Sequence, residues 1–108
     1  MINLSKDEVK TILSSFYLWK NSDFSDLDRK FVNKIRSGIK KLENKLLNRF
    51  SEFTEEDVIV IQCTLKELIS FLNNPDPEYD LKSIAENKSF HINLIRSIAA
   101  KFSFTLDP

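Results

Sequence analysis

The sequence has one glycine, one cysteine and one histidine among 108 residues. The tight turns of β-sandwiches and barrels need residues that accept positive φ, so this chain cannot supply an all-β fold. A glycine-rich phosphate loop is excluded for the same reason, which removes P-loop and dinucleotide-binding enzymes. Since Cys63 is alone, the chain forms neither an intrachain disulfide nor a cysteine-based zinc knuckle.

Long apolar runs and an excess of one charge are also missing. The longest apolar run covers residues 58–61, far short of the ~20 residues that span a bilayer. Residues 1–9 are mostly polar and charged, which predicts no signal peptide and a cytoplasmic location. Sixteen basic residues balance sixteen acidic ones, which argues against a nucleic-acid coat protein or an acidic DNA mimic.

The first predicted helix begins with a capping box. Ser5 can cap the backbone at Glu8, Glu8 can reach back to Ser5, and Leu4 can pack on Val9 as a hydrophobic staple. The apolar residues of this helix lie on one face: Val9, Ile12, Leu13, Phe16 and Trp19. Polar residues 21–23 end the helix.

A long second helix follows, and Ser25 or Asp26 is positioned to cap it. Its apolar stripe has spacings of three and four residues: Leu27, Phe31, Ile35, Ile39, Leu42, Leu46, Phe50 and Phe53. Gly38 lies inside this helix, where glycine costs about 1 kcal/mol relative to alanine. A bend or a close helix crossing would explain a glycine at this position. Its occurrence there by chance is the alternative explanation.

The third helix repeats the start signal, with Thr54 as the cap and an acid three residues later. Its stripe continues in phase through Val58, Ile61, Leu65, Leu68 and Leu72. Residues 58–65 are also rich in β-branched side chains and could form a buried strand, but the cap and the stripe favour a helix. Ile59, Val60 and Cys63 fall on the opposite side, so this helix is either central or covered by a second copy in a homodimer.

Residues 73–77 form the one clear loop, after which Asp76 can cap a helix that starts at Pro77. A single helix from Pro77 to Phe102 would place Lys88 in the middle of its apolar stripe. A break removes this conflict, with Asn87 in a left-handed conformation and Ser89 as a new cap. We therefore expect helix 4 at about 77–86, helix 5 at about 89–101 and an extended tail at 102–108.

Together these elements predict an all-α protein. We expect a small antiparallel bundle of about five helices, with the long helix 2 in its centre and no sheet. The whole chain, residues 1–108, is expected to form one helical domain. The residues expected to be buried in its core are Ile35, Leu42, Leu46, Ile61, Leu65, Leu68, Ile95 and Ile98.

Candidate catalytic or metal-binding groups are few. His91 has no second ligand at a metal-binding spacing, so the simplest interpretation is a boundary side chain at a helix start. Cys63 is interpreted as an apolar core residue, and a Cys63–His91 nucleophilic pair stays open. The carboxylates of residues 55–57 and 76–80 are explained by helix starts. We expect no catalytic residue, no metal and no cofactor.

Charge distribution is the most informative feature of the sequence. Residues 29–49 hold eight basic side chains and one acid, Glu43, whereas residues 50–87 hold nine acids and two lysines. The basic residues are Arg29, Lys30, Lys34, Arg36, Lys40, Lys41, Lys45 and Arg49. On a helical wheel they flank the apolar stripe on both sides.

Three interpretations of this basic helix stay open. The lysine stems can simply cover the edge of the core on a solvated face. The face can instead dock an acidic protein partner, or bind a nucleic acid or an anionic membrane. The lack of interleaved aromatic side chains and the length of the helix count against nucleic acid.

We therefore predict a non-enzymatic protein-binding module, such as an inhibitor, immunity-type or adaptor protein. Its short, helical sequence, rich in lysine, asparagine and isoleucine, is typical of small accessory proteins of bacteria and phages. The alternative is a nucleic-acid-binding regulator that uses helix 29–49. Off-stripe apolar residues also favour an interaction protein, because some of them should be exposed or covered by another chain. These off-stripe residues are Tyr17, Leu18, Phe24, Phe71, Tyr79, Phe90 and Phe104. The predicted partner-binding residues are Arg29, Lys30, Lys34, Arg36, Lys40, Lys41, Lys45, Ile59 and Val60.

Overall fold

The structure, a computed structural model, describes residues 2–48 and 51–106. Within these residues the chain forms five α-helices: α1 (Lys6–Asn21), α2 (Arg29–Leu47), α3 (Glu55–Asn73), α4 (Lys82–Glu86) and α5 (Lys88–Phe102). The same residues contain no strand, which confirms the all-α helical bundle and excludes the strand alternative for residues 58–65.

The capping boxes predicted at the starts of α1 and α3 are both present. Ser5 Oγ accepts a hydrogen bond from Glu8 N at 3.1 Å, and Glu8 Oε1 accepts one from Ser5 N at 2.7 Å. Thr54 and Asp57 make the corresponding pair of bonds at 3.1 and 3.0 Å. These bonds satisfy backbone N–H groups that a helix start leaves without partners, so both starts are fixed locally.

The start of α2 lies later than predicted. Asp28 is the cap and accepts a hydrogen bond from Lys30 N at 3.0 Å, so the assignment of Ser25 or Asp26 as the cap is wrong. Residues 22–28 instead form the connection from α1, where the Phe24 carbonyl accepts a hydrogen bond from Leu27 N at 3.0 Å in a turn. The residues before Asp28 are therefore not held in the helical stripe.

Two members of the predicted α2 stripe do not enter the core. Leu27 and Phe31 are 42% and 41% exposed, and Val32 is buried in their place. Phe31 and Val32 both lie about one turn before Ile35, and Phe31 stays at the rim of the core, where its ring packs against Trp19 of α1 with centroids 6.4 Å apart. The helix ends at Leu47, and Phe50 lies outside the described residues.

The central helix is α3, which packs against α1, α2, α4 and α5. In the part of the chain that the structure describes, α2 contacts α1 and α3, so the expectation that α2 is central is wrong. The central position of α3 explains why its first half is apolar on all sides. Val60 is buried and Cys63 is half-buried, whereas Ile59 remains 50% exposed.

The predicted core is confirmed, since all eight of its residues expose 4% or less of their surface. The expectation of several exposed off-stripe residues is mostly wrong. Leu18 and Phe71 are buried, and Phe90, 51% exposed, is the one large exposed side chain of that set. The others are half-buried against the core: Tyr17, Phe24, Tyr79 and Phe104.

The fourth helix is shorter than predicted. It covers Lys82–Glu86 and does not begin at Pro77, because Asp76 caps a turn instead of a helix. Tyr79 accounts for the difference: its hydroxyl lies 3.0 Å from Ser22 Oγ and holds the loop against the end of α1. This long-range contact overrides the local helix signal.

The predicted break before the last helix is present at Asn87. Its details differ from the prediction, because Asn87 has φ −113° and ψ 43° and α5 starts at Lys88, without a cap from Ser89. The left-handed residue is Ser103, with φ 59°, which ends α5.

The C-terminal residues 104–106 form no helix and pack on the bundle. Phe102 is the last helical residue and is buried. Phe104 stacks on it with ring centroids 6.1 Å apart, and Gln62 Nε2 donates a hydrogen bond to Thr105 O at 2.8 Å. Residues 107–108 lie outside the described residues.

Candidate functional site

The outer side of α2 presents five exposed basic residues, which we call the basic face: Arg29, Lys30, Lys34, Lys40 and Lys41. Across residues 2–48 and 51–106, no carboxylate forms a salt bridge with any of them. The eighth basic residue of the segment, Arg49, lies outside the described residues. The basic face is therefore not needed to balance charge within the bundle.

Arg36 does not belong to the basic face, although the sequence placed it there. Its Nη2 donates a hydrogen bond to the carbonyl of Ser22 at 2.9 Å, and its side chain is half-buried. Arg36 Nε is buried without a hydrogen-bond partner among the described residues. Arg36 thus attaches the first half of α2 to the C-terminal end of α1.

Lys45 is also used inside the chain. Its Nζ lies 2.5 Å from Asp57 Oδ2, the same carboxylate that caps α3 through Thr54. Burial raises the pKa of Asp57, but the hydrogen bonds from Lys45 and Thr54 and the charge of Lys45 outweigh it, so that pKa lies below its ordinary value of 3.8. Lys45 therefore fixes the α2–α3 corner instead of facing a partner.

The one acid of the basic segment points away from the basic face. Glu43 forms a salt bridge with Lys20 of α1, with an Nζ–Oε2 distance of 2.7 Å. This pair removes the negative charge of Glu43 from the outer side of α2. The outer side of α2 is thus more uniformly basic in the folded chain than the sequence of residues 29–49 indicates.

Gly38 is explained by a close helix crossing. A Cβ atom at this position would lie 2.6 Å from Val60 Cγ2, which is closer than side-chain atoms approach one another. Val60 is consequently packed in the core, with 5% of its surface exposed. Ile59, the next residue back along α3, keeps half of its surface exposed.

A cleft of about 320 Å³ runs between α2 and α3 beside this crossing. Lys34 and Lys41 form its α2 side, and Glu56 and Ile59 form its α3 side. The cleft thus places two lysines of the basic face, on α2, close to the exposed Ile59 of α3. The sequence alone did not show that these residues are neighbours.

A second cleft, of about 600 Å³, lies between α1 and the end of α2. Among the described residues its lining is mainly apolar, with Lys6 and Lys10 as the charged members. The apolar lining residues are Ile2, Leu4, Val9, Leu13, Leu46 and Leu47. This cleft shares no residue with the predicted partner-binding set.

The structure does not join Cys63 and His91. His91 Nδ1 lies 3.1 Å from Thr11 Oγ1, and no hydrogen bond links it to Cys63 in the described residues. Burial lowers the pKa of His91, opposed by the charge of Asp7. Burial raises the pKa of the Cys63 thiol, against a smaller opposing effect of Lys66, so the thiol stays protonated and is a poor nucleophile.

One buried polar network was not visible in the sequence. Glu8 is 2% exposed, and its carboxylate accepts hydrogen bonds from Ser97 Oγ at 2.8 Å and Lys101 Nζ at 2.5 Å. Burial raises the pKa of Glu8, but bonds from Lys101, Ser5 and Ser97 outweigh it, so that pKa lies below 4.5. The capping box pointed to Glu8, whereas nothing local pointed to Lys101.

Comparison with protein family models, with curated proteins and with solved structures finds no match for this chain. No helix in the two described ranges is both long and apolar enough to cross a membrane. Within the same ranges, no three His, Cys, Asp or Glu side chains cluster closely enough to hold a metal ion.

Proposed function

We propose that this chain is a non-enzymatic protein-binding module, of the inhibitor, immunity-type or adaptor kind, that binds an acidic protein through the basic face of α2. One observation carries the proposal: the five residues of the basic face are exposed and lack salt bridges among the described residues. Arg36, Lys45 and Glu43, by contrast, are engaged within the bundle. Exposed charges of one sign steer oppositely charged partners and speed their association.

The second candidate, a nucleic-acid-binding regulator, has one observation in its favour. Phe31 is 41% exposed beside Lys30 and Lys34, so one aromatic ring does accompany the basic face. Against it, the loops beside the start of α2 are acidic, and the Ser22–Tyr79 hydrogen bond holds them together. Their carboxylates belong to Asp23, Asp26, Asp28, Asp76, Glu78 and Asp80, and they would repel a phosphate backbone that continued past α2.

The proposal is tested by comparing three baits in an affinity capture. The baits are the natural chain, a variant with Lys34→Glu and Lys41→Glu, and a control with Lys66→Glu and Lys88→Glu. The control has the same charge change on exposed lysines of α3 and α5. A protein that the first variant loses and the control keeps is then purified, and its association rate is measured at several salt concentrations.

We expect association with the purified partner to be about tenfold slower for the Lys34/Lys41 variant and nearly unchanged for the control, because steering depends on local charge. Equal capture by all three baits would contradict the proposal. A tight mobility shift with a defined DNA or RNA that weakens steeply as salt rises would favour the nucleic-acid regulator instead.

A further inference from the structure

We infer that the cleft between α2 and α3 binds an amphipathic α-helix of the partner, which carries two carboxylates seven residues apart and an apolar side chain between them. This inference rests on the proposed function and adds the form and chemistry of the partner's binding segment. It follows from the positions of Lys34, Lys41 and Ile59 around one cleft.

The two lysines set the spacing of the charges. Lys34 and Lys41 are exposed, line the same side of the cleft and are seven residues apart on α2. Seven residues of a helix advance about 10.5 Å along its axis, close to two full turns. A partner helix lying along α2 would place carboxylates at that same spacing opposite both ammonium groups.

The apolar part of the cleft lies beside these lysines. Ile59 is 50% exposed and lines the α3 side, while Gly38 and Val60 line the cleft at the close crossing of the two helices. Water that covers an exposed isoleucine is released when an apolar side chain packs on it, which favours binding. An apolar residue near the middle of the partner helix would reach Ile59.

A helix fits this cleft better than an extended segment. A strand-forming peptide gains affinity by adding to a sheet edge, and the described residues offer no strand to extend. A proline-rich segment docks in an aromatic-lined groove, and no aromatic side chain of the described residues lines this cleft. A helix satisfies its own backbone hydrogen bonds and presents side chains to a groove. Glu56 is exposed on the α3 side, so the partner helix should be neutral or basic on the flank that faces it.

The inference can be tested with two synthetic helical peptides of identical composition. One carries two glutamates seven residues apart with a leucine between them, and the other carries the same glutamates on opposite sides of the helix. Each is titrated into the isotope-labelled full chain at low salt, and amide chemical shifts are followed by NMR. The same titrations are run on a cleft variant, Lys34→Glu with Lys41→Glu, and on a matched variant of the same helix, Lys30→Glu with Lys40→Glu.

We expect the first peptide to shift the amides of Lys34, Gly38, Lys41 and Ile59 and to bind about tenfold more weakly to the cleft variant than to the matched variant. Equal binding of both peptides, or equal loss in both variants, would overturn the inference. If neither peptide binds but a captured protein still depends on Lys34 and Lys41, the helical spacing is wrong and the proposed function stands. A dimer in sedimentation that Ile59→Asp disrupts would also overturn it, because a second copy would then cover the cleft.

Discussion

Helices α2 and α3 have the same length, nineteen residues each, but the bundle uses them in opposite ways. α3 contacts all four other helices, whereas α2 contacts α1 and α3 along one stripe. Substitutions on most sides of α3 therefore disturb the core, while substitutions on the outer side of α2 meet only water. The sequence of α3 is therefore constrained by packing, whereas the basic face of α2 is exposed to solvent.

The largest expected effect is on the core side of α3. Leu65 is fully buried, and Leu65→Ala should lower the free energy of unfolding by about 2–5 kcal/mol, as is usual when a buried leucine is truncated. Ile59→Ala on the same helix should change it by only about 0.5 kcal/mol, since Ile59 is half-exposed. Urea unfolding of both variants measures the two losses of unfolding free energy. Similar losses would contradict the assignment of Leu65 to the buried side and Ile59 to the exposed side of α3.

A second large effect is expected at Glu8, where α1 meets α5. Glu8→Gln should cost about 1.5–3 kcal/mol at neutral pH, because it weakens hydrogen bonds to a buried charged group. Folding lowers the pKa of Glu8, so its stabilisation is fully present above pH 4.5 and is lost as pH falls through the folded value. The gap between the natural chain and the variant should therefore close in acid.

The control for Glu8 is its exposed neighbour in the same turn. Asp7→Asn should change the free energy of unfolding by about 0.5 kcal/mol, mainly through the helix dipole and, where His91 is protonated, through the attraction between Asp7 and His91. A Glu8→Gln loss that stays constant between pH 7 and pH 3 would show that the network does not depend on the Glu8 charge.

A smaller effect is expected where α2 crosses α3. Gly38→Ala should destabilise the chain by about 1–2 kcal/mol, because the clash with Val60 outweighs the better helix propensity of alanine. Val60→Ala removes the clashing methyl groups, so the two substitutions together should cost less than the sum of their separate costs. A stabilising Gly38→Ala would mean that the helices can move apart.

The smallest effect within this comparison separates two lysines of α2. Lys45→Glu places a second carboxylate beside Asp57 and should lower the free energy of unfolding by about 1 kcal/mol, since the Lys45–Asp57 pair is partly exposed. Lys41→Glu, one turn earlier, should change it by about 0.5 kcal/mol or less. Denaturation midpoints of the two variants provide the measurement, and equal midpoints would place Lys45 on the basic face.

The parts of the fold that depend on neighbouring residues could be predicted from the sequence. The capping boxes of α1 and α3 and the buried stripe of α3 are local patterns, and the structure contains them. The starts of α2 and α4 could not be predicted in this way, because loop contacts such as Ser22–Tyr79 decide them. A strong local start signal at Asp76 and Pro77 was overridden by such a contact.

The candidate site was predictable only in part for a similar reason. The segment of basic residues is visible in the sequence, and five of its members are exposed. Arg36 and Lys45 differ from them because each has a partner on another element, Ser22 and Asp57 respectively. A helical wheel assigns a side to each residue of one helix, but it does not show which groups of other helices meet that side.

Lysine footprinting tests most directly whether the outer side of α2 binds a protein. The natural chain is mildly acetylated alone and in complex with the partner found by lysine-dependent capture, and mass spectrometry gives the reactivity of each lysine. If the partner binds at the basic face, Lys34 and Lys41 lose reactivity in the complex, while Lys66 and Lys88, exposed elsewhere on the bundle, keep theirs. Unchanged reactivity at Lys34 and Lys41, with protection of Lys66 or Lys88 instead, would contradict binding at the basic face.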